Sequence, residues 1–343
     1  MRYINHYILI IILLIFLIPN ASAVAIINIT QLTYGSTNVS YDSPAWSPDG
    51  KKIALNKNGI IHIMSADGSN ITSTGQSSDY AKWTPDGSKI VFELDNSIYI
   101  MNSNGSNKTV LFHIAGNPAI SPAGQYIIFD GGGPTPENGR EIFIADINST
   151  NKKRLTDYFG DEIIPSWSPD GKKIIFTTGG YDGTINIMDA DGSNMTSTGQ
   201  PGIYVRWSPD GKYIAFLSDR AGDMFQGMKL KHLYIMDADG TNVTQLTSGD
   251  NRWDWAFDWS PDGTHIAFGS FIPPDAKGNI FIMTLDFNAT MPAPAPTAIP
   301  TITQTSEVTP TAITMQTPEV PGFSLLTVFV SISLLVLVKK YAK

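Results

Sequence analysis

The chain has 343 residues, of which 42% are hydrophobic and 16% charged, and its 30 glycines and 22 prolines favour a turn-rich β protein over a helical one. Its formal net charge is −8, and without Arg2, Lys339, Lys340 and Lys343 at the two ends, 19 basic residues stand against 31 acidic ones, which argues against a nucleic-acid partner. The absence of cysteine excludes disulfides, thiol chemistry and thiolate metal sites.

The N-terminal end has the three parts of a secretory signal peptide. Arg2 precedes an apolar run over residues 8–18, and residues 21–23 form an Ala-Ser-Ala cleavage site. The apolar run has 11 residues, fewer than the roughly 20 that span a bilayer. We therefore predict that residues 1–23 are a signal peptide removed after Ala23, with an uncleaved anchor as the alternative.

One five-residue phrase recurs along the middle of the chain. Copies of Trp-Ser/Thr-Pro-Asp-Gly begin at Trp46, Trp83, Trp167, Trp207 and Trp259, and a degraded copy, Ile-Ser-Pro-Ala-Gly, begins at Ile120. The successive starts are 37, 37, 47, 40 and 52 residues apart. This period fits a structural unit of four short strands, repeated six times.

The phrase has the chemistry of a type I turn, because Pro presets its φ, Asp tolerates the third position and Gly takes the left-handed one. An alternating strand follows, as over residues 52–55, and after a variable loop a third strand, as over 98–101. An Asp-Gly turn such as 189–192 leads to a polar fourth strand such as 243–247. We predict an all-β fold over residues 24–290, a six-bladed β-propeller of four-stranded antiparallel blades.

The two ends of the repeat region complement each other. The last repeat ends with its third strand, residues 279–285, and lacks a fourth. Residues 29–33, Ile-Thr-Gln-Leu-Thr, nearly copy the fourth strand at 243–247, Val-Thr-Gln-Leu-Thr. We therefore predict that the N-terminal strand completes the last blade, which closes the ring and leaves no unpaired inner edge.

These repeats resemble those of the TolB-type propeller, a six-bladed module whose units carry the Trp-Ser-Pro-Asp-Gly phrase. The resemblance covers about residues 26–288. It departs from the founding family because no N-terminal α/β domain is recognisable and a C-terminal stalk is added. The bacterial family acts in the periplasm by binding partner proteins, so the resemblance implies protein recognition, although the sequence shows no partner system.

Chain direction assigns each connection to a face of the ring. The Ser-Pro-Asp-Gly and Asp-Gly turns share one face, here called the bottom, and the irregular loops share the other, the top. Variable loops on a rigid scaffold usually carry function. We predict ligand contacts on the top from Tyr41, Asp42, Tyr158, Asp161, Glu162, Arg220, Arg252, Trp253, Asp254 and Trp255. The alternative is that these residues are solvated or pack over the ring.

Six Asn-x-Ser/Thr triplets open near the starts of predicted fourth strands, at Asn28, Asn70, Asn107, Asn148, Asn194 and Asn242. With an export signal, they predict glycans around the bottom rim. The alternative is that the repeat generates the triplets by itself, because Asn suits the turn and Thr suits the strand.

The C-terminal end has three parts. Residues 291–321 are rich in Thr, Pro and Ala and predict an extended stalk; residues 322–338 are apolar; and residues 339–343 are basic. This tail resembles the sorting tails of archaeal surface proteins, with Pro-Gly-Phe at 321–323. In that family a membrane protease-transpeptidase removes the helix and a lipid replaces it. We predict either a transmembrane helix or a sorting signal, with the propeller outside the cell and its bottom towards the membrane.

No catalytic constellation accompanies the repeat. A Gly-x-Ser-x-Gly elbow is absent, and the Asp-x-Asp-Gly turns lack the ligands of a calcium loop. The four histidines outside the signal peptide fall in four different blades: His62, His113, His232 and His265. We predict no catalytic residue, no metal and no cofactor.

The function that these features favour is recognition of a protein or glycan at the cell surface. Two alternatives stay open. One is an enzyme that acts on extracellular polysaccharide through Asp161, Glu162 or Asp254 at the channel mouth, since glycoside hydrolysis needs paired carboxylates. The other is a structural envelope glycoprotein.

Overall fold

The computed structural model describes residues 23–289, except 37, 79, 133–138, 159, 181–182, 226, 250–251 and 272–276. The predicted signal peptide up to residue 22, the stalk, the apolar segment and the basic end lie outside the described residues. Within the described ranges, no helix has the length and apolarity needed to cross a membrane.

The described strands form six four-stranded antiparallel sheets, which confirms the predicted six-bladed all-β propeller. The four strands of a blade are called A to D here. Strand β1 (Ala23–Gln31) comes before the first blade along the chain. Blade 1 contains β2 (Tyr41–Trp46), β3 (Lys52–Lys57), β4 (Ile60–Ser65) and β5 (Thr72–Ser77). Blade 2 contains β6 (Tyr80–Trp83), β7 (Lys89–Leu94), β8 (Ser97–Asn102) and β9 (Thr109–His113).

The next two blades follow the same order. Blade 3 contains β10 (Ala115–Ile120), β11 (Tyr126–Gly132), β12 (Arg140–Asp146) and β13 (Lys153–Arg154). Blade 4 contains β14 (Glu162–Trp167), β15 (Lys173–Thr178), β16 (Thr184–Asp189) and β17 (Thr196–Pro201).

Blade 5 carries an inserted hairpin, and blade 6 is built from both ends of the repeat region. Blade 5 contains β18 (Ile203–Trp207), β19 (Tyr213–Ser218), the hairpin β20 (Met224–Phe225) and β21 (Met228–Lys229), then β22 (His232–Asp237) and β23 (Thr244–Gln245). Blade 6 contains β24 (Trp253–Trp259), β25 (His265–Phe271) and β26 (Gly278–Ala289), with β1 as its strand D.

The closure of the ring follows the prediction. Strand β1 pairs antiparallel with β26, from Ala23 opposite Ala289 to Gln31 opposite Phe281. Thr33 Oγ1 accepts a hydrogen bond from the backbone N–H of Ile280 at 2.9 Å. In blade 5, Thr247 Oγ1 accepts the equivalent bond from the backbone N–H of Leu233 at 2.8 Å. The copied Leu-Thr therefore makes the same bond in both blades. Both paired strands are longer than the sequence indicates, because the pairing continues to Ala289.

The Ser-Pro-Asp-Gly turns form between strands A and B. In blade 1, Gly50 N donates to Ser47 O at 2.9 Å, and Ser47 Oγ donates to Asp49 Oδ1 at 2.7 Å. The predicted left-handed glycines have φ between 69° and 74°: Gly50, Gly87, Gly124, Gly171, Gly211 and Gly263. In blade 3, where Ala123 replaces Asp, Gly124 N still donates to Ser121 O at 2.8 Å. The backbone turn therefore forms without the carboxylate.

The six turns are neighbours around the bottom of the ring. A Cβ atom placed on each turn glycine would lie 3.5 to 3.9 Å from the proline of the preceding turn, in the pairs Gly50–Pro261, Gly87–Pro48, Gly124–Pro85, Gly171–Pro122, Gly211–Pro169 and Gly263–Pro209. The pair Gly50–Pro261 joins the first blade to the last. Each turn glycine therefore has the proline of the preceding turn beside it, and this arrangement repeats around the whole bottom rim.

Aromatic side chains of strand B fill the space between blades. Phe92, Phe129, Phe176, Phe216 and Phe268 take the same position in blades 2 to 6 and are fully buried. Four of them pair with an aromatic ring on strand C at centroid distances of 5.5 to 5.7 Å: Phe92–Tyr99, Phe129–Phe143, Phe216–Tyr234 and Phe268–Phe281. Such cross-strand pairs stabilise a sheet beyond the area they bury.

Candidate functional site

Strand A lines the axis of the ring, and a bulge turns two of its side chains inward. In five blades the register between strands A and B shifts within the strand, as between Asp42 and Ala45. Residues with positive φ at the bulge are Ser43, Asn117, Ile164 and Tyr204. A bulge bends its strand and re-aims side chains. Strand A residues of five blades line a cavity on the axis, among them Ser43, Asn117 and Tyr204 at the bulge and Arg206 two residues after Tyr204.

Two tyrosines meet inside this channel. Tyr80 comes from blade 2 and Tyr204 from blade 5, which stand opposite each other in a ring of six. Their hydroxyls are hydrogen-bonded across the axis, and their ring centroids are 5.9 Å apart. Because strand A runs from top to bottom, the next inward position lies two residues, about 6 Å, nearer the bottom. The tyrosines thus form a bar on the top side of that position.

The next inward position carries an ion pair. Lys82 Nζ donates to Asp258 Oδ1 at 2.8 Å, and Trp46 N donates to Asp258 Oδ2 at 2.9 Å. Blade 1 stands between blades 2 and 6 and has the small Ala45 at this position, which leaves room for Lys82 to cross to Asp258. Both oxygens of Asp258 are therefore engaged.

Arg206 is a second cation at this level of the channel. Its NH1 donates to Val205 O at 2.8 Å, and among the described residues no carboxylate lies within ion-pair distance of its guanidinium. Burial lowers the pKa of Arg206, and nearby Asp258 opposes the shift. Burial also lowers the pKa of Lys82, again against Asp258. At this level of the channel, Lys82, Arg206 and Asp258 form what is here called the charged ring. It combines two cations with one carboxylate.

Polar side chains near the end of strand B join each of the first four blades to the next. In two blades the side chain donates to a backbone carbonyl just before the following strand A. Asn56 Nδ2 donates to Ser78 O, and Thr177 Oγ1 donates to Gly202 O at 3.1 Å. These bonds fix the position of the strand that carries the channel residues.

In blades 2 and 3 the same position carries a carboxylate. Glu93 Oε2 accepts Asn117 N at 2.8 Å, and Asp130 Oδ2 accepts Ile164 N at 2.8 Å. Asp130 is fully buried and also accepts Arg140 Nε at 2.7 Å and Asn117 Nδ2 at 2.9 Å. The carboxylates thereby hold bulge residues of the next blade by their backbone N–H groups.

Asp161 and Glu162 are neighbours at the top of blade 4 with different surroundings. Asp161 is half-buried, and its Oδ1 accepts Arg140 N at 2.9 Å. Glu162 is buried near Glu141 of blade 3, and Glu141 Oε2 accepts a hydrogen bond from Thr156 Oγ1 at 2.7 Å. Burial, reinforced by Glu141, raises the pKa of Glu162 from 4.5 to about 8. Glu162 therefore holds a proton at neutral pH.

Asp254 takes the corresponding position in blade 6 and is fully buried. Its Oδ1 accepts Arg252 Nε at 2.9 Å, and its other oxygen accepts Thr247 Oγ1. The ring of His232 lies 3.9 Å from Asp254 and binds Asp223 Oδ2 at 2.9 Å through Nε2. The structure therefore brings Arg252 and Asp254 together, as part of a buried network.

The two tryptophans outside the repeat pack at the junction of blades 6 and 1. A Cβ atom on Gly269 or Gly278 would come closer than 3.0 Å to the Trp255 indole, so both glycines make room for it. Trp253 is half-buried, with its ring centroid 6.1 Å from that of Trp255. Tyr41 is buried, and its backbone oxygen lies next to Gly278. The half-buried Asp42 follows Tyr41 on β2.

Arg220 packs across the junction of blades 4 and 5. Its guanidinium carbon lies 4.9 Å above the Phe216 ring and 5.0 Å above the Tyr234 ring. Its NH2 donates to Pro201 O at 2.9 Å. Arg252 lies in the same way over the aromatic pair of blade 6. In both arginines the guanidinium, which is the group that would bind a ligand, contacts aromatic residues of the core. A direct role of these arginines in ligand binding therefore stays a prediction.

Several apolar or aromatic side chains project from the top loops, together with charged ones such as Asp157 and Lys229. The relative exposure is 53% for Met224 and 41% for Met228 on the inserted hairpin, and 48% for Tyr158 between blades 3 and 4. Ile114 and Tyr34, in two other loops between blades, are exposed to 66% and 75%. Of the ten predicted contacts, Tyr158 is the most exposed, whereas Tyr41, Glu162 and Asp254 are buried.

Four predicted glycosylation sites share one backbone conformation on the bottom rim. Asn70, Asn107, Asn194 and Asn242 have φ between 53° and 56°. The amide of Asn242 donates to Asp237 Oδ2 at 2.6 Å, and Asn194 makes the same bond. Asn148 lies inside the turn, where Asn151 takes the left-handed position, and Asn28 lies within β1. The geometry explains Asn at these turns without a glycan, and glycosylation stays a prediction.

The sequence did not predict the charged ring of the channel. It also did not predict which residues contact the ten predicted ligand-binding residues. Aligning the six repeats on the Trp position would have revealed the ring, because the preceding residue is Lys82, Arg206 or Asp258 in three copies and small in the others. Glu141 lacks such a signal, since its contact with Glu162 joins two blades. In the described part of the chain, no group of three or more His, Asp or Glu side chains is arranged to hold a metal.

Comparison with known proteins points to one group of propellers. A family model described as the TolB beta propeller domain matches residues 111–231. A protein assigned as TolB from Agrobacterium tumefaciens is 25% identical, with a TM-score of 0.54, over 71% of this chain and 90% of that one. TolB from Acinetobacter baumannii is 22% identical, with a TM-score of 0.51, over 73% of this chain and 65% of that one.

An enzyme shares the fold at lower identity. Oligogalacturonate lyase from Vibrio parahaemolyticus is 11% identical, with a TM-score of 0.52, over 76% of this chain and 96% of that one. At this identity the likeness concerns the fold alone. The family model and the two TolB structures support a TolB-like β-propeller domain in this chain.

Proposed function

We propose that this chain is an exported recognition module that binds a protein partner through the loops of its top face. The observation that carries the proposal is the exposure of Met224, Met228 and Tyr158 on those loops, while the buried charges beneath them are bonded to one another. Exposed apolar groups on a rigid scaffold mark interaction surfaces, and Met adapts to varied partners. A TolB-like propeller is compatible with this role.

The enzyme alternative has less support from the candidate carboxylates. Glu162 and Glu141 are both buried, whereas the carboxyl groups of a glycosidase stand about 5 to 10 Å apart around a substrate that must reach them. Asp254 is buried with Arg252 and Thr247. None of these three side chains lines the channel cavity.

The proposed location follows from the predicted signal peptide and C-terminal anchor. We place the propeller outside the membrane, with the top face available to a partner. Protease treatment of intact cells tests this point: digestion of the propeller supports the location, and protection of the propeller until the cells are lysed contradicts it.

Site-directed photocrosslinking in the native cell tests the binding face. A photoreactive phenylalanine analogue is introduced at Met224 or Tyr158 on the top, and at Tyr126 on the bottom as the matched exposed control. We expect a discrete protein adduct from both top positions and none from Tyr126. Equal adducts from all three positions, or turnover of a polysaccharide by the purified chain, would contradict the proposal. Adducts sensitive to glycosidase would identify a glycan partner instead.

A further inference from the structure

The channel has features that the proposed recognition function does not use. Its walls are the A strands of the blades, and the small cavity within them has a volume of about 20 Å³. A cavity of this size holds about one water molecule or one small ion. Tyr80 and Tyr204 line it together with Lys82, Arg206 and Asn117.

The charges around this cavity do not balance. Asp258 is bound to Lys82 Nζ and to the Trp46 backbone N–H, so its charge is matched by Lys82. The guanidinium of Arg206 has the Val205 carbonyl as its hydrogen-bond partner, and no described carboxylate forms an ion pair with it. Arg206 is half-buried, so its guanidinium stays in contact with the channel, and a small anion that enters the channel is attracted to it. An anion beside Arg206 would balance its charge.

The size and chemistry of the cavity select the anion. The cationic groups that line the cavity are the Arg206 guanidinium and the Lys82 ammonium. A cavity for a single small ion accommodates a spherical halide, whereas a carboxylic acid or a sulfate needs more space. We propose that the channel binds one halide ion, of which chloride is the common form, between Arg206 and Lys82 below the tyrosine bar.

Anion-specific stabilisation of the full chain tests the proposal. The midpoint of thermal unfolding is measured in sodium chloride and in sodium gluconate at equal ionic strength, because gluconate is too large for the cavity. We expect chloride to raise the midpoint by about 2 to 4 °C at roughly ten times its dissociation constant. The variant Arg206→Gln should lose this difference, and Arg206→Lys should retain part of it.

A matched control removes a positive charge elsewhere. Lys172, with 81% of its side chain exposed, is replaced in Lys172→Gln, which should keep the full chloride effect. If Arg206→Gln fails to fold, anomalous diffraction from crystals of the full chain soaked in bromide replaces it. A bromide peak beside Arg206 supports the site. Equal midpoints in chloride and gluconate for the unsubstituted chain, or no bromide peak in the channel, would overturn it.

Discussion

At the scale of single residues, the six copies of the turn show which residues the backbone conformation requires and which residues add side-chain hydrogen bonds. The glycine of the turn keeps a φ near 70° in all six copies, including the copy with Ala123. The aspartates add local bonds that favour their charged form: hydrogen bonds from Thr84 and Ser88 lower the pKa of Asp86 to about 2. The conserved shape of the turn thus depends on Gly and Pro, and the Asp reinforces it.

Glu162 is the residue with the clearest dependence on pH. Its pKa is 4.5 when unperturbed and about 8 in the folded chain, mainly because it is buried. Between these values the folded chain holds a proton that the unfolded chain has released, so the free energy of unfolding falls as the pH rises through this window. We expect Glu162→Gln, which cannot ionise, to remove that fall and to be more stable than the unsubstituted chain above pH 8.

Urea unfolding across this pH range measures the effect. Asp157→Asn is the control, because Asp157 belongs to an exposed ion pair with Arg154 and should leave the pH dependence unchanged. An identical pH dependence in Glu162→Gln and the unsubstituted chain would show that Glu162 is not the group that titrates.

At the scale of strands, β1 is the element whose partner is farthest away in the sequence. It supplies strand D of blade 6, and Ala23 lies opposite Ala289 at the bottom end of β26. The sequence copy at 29–33 predicts this pairing correctly, because Thr33 and Thr247 make equivalent bonds. What the copy does not predict is the extension of the pairing down to Ala23, which lies outside the repeat phrase.

Moving β1 to the other end of the propeller tests its role. A mature chain without residues 24–33 lacks strand D of blade 6, and we expect its urea unfolding to lose cooperativity at a lower midpoint. Because Ala23 lies opposite Ala289, a copy of residues 23–33 joined after Ala289 by a short turn can pair as a hairpin. This rearranged chain should recover the original midpoint. A truncated chain that unfolds like the intact one would contradict the closure.

At the scale of the whole molecule, the ring is held by different interactions in different places. Blades 1 to 4 are linked by polar side chains of strand B, from Asn56 to Thr177. In blades 5 and 6 the corresponding residues are Leu217 and Gly269, and a large apolar cluster spans blades 4 to 6. Because a ring has no free end, the loss of one link should weaken every blade.

Asp130 is the link with the most bonds and therefore the best test of this coupling. In Asp130→Ala, the Ile164 N–H and the Arg140 guanidinium lose a buried acceptor, and we expect the free energy of unfolding to fall by about 3 kcal/mol. The slope of the urea transition should stay unchanged, since the ring unfolds as one unit. Asp157→Ala should cost less than about 1 kcal/mol. A second transition in Asp130→Ala would show that the blades unfold separately.

The sequence by itself determined the blade count, the turn chemistry and the closure by the N-terminal strand, because each depends on residues within one repeat unit or on a copied phrase. Only the tertiary structure decided the roles of the candidate residues. Asp254, Glu162 and Arg220 are polar and lie in loops or at strand starts, which favours exposure, but their partners come from neighbouring strands and blades. Six-fold closure also brings Tyr80 and Tyr204 together from opposite blades, 124 residues apart. Contacts of this kind arise from ring geometry, which no local pattern encodes.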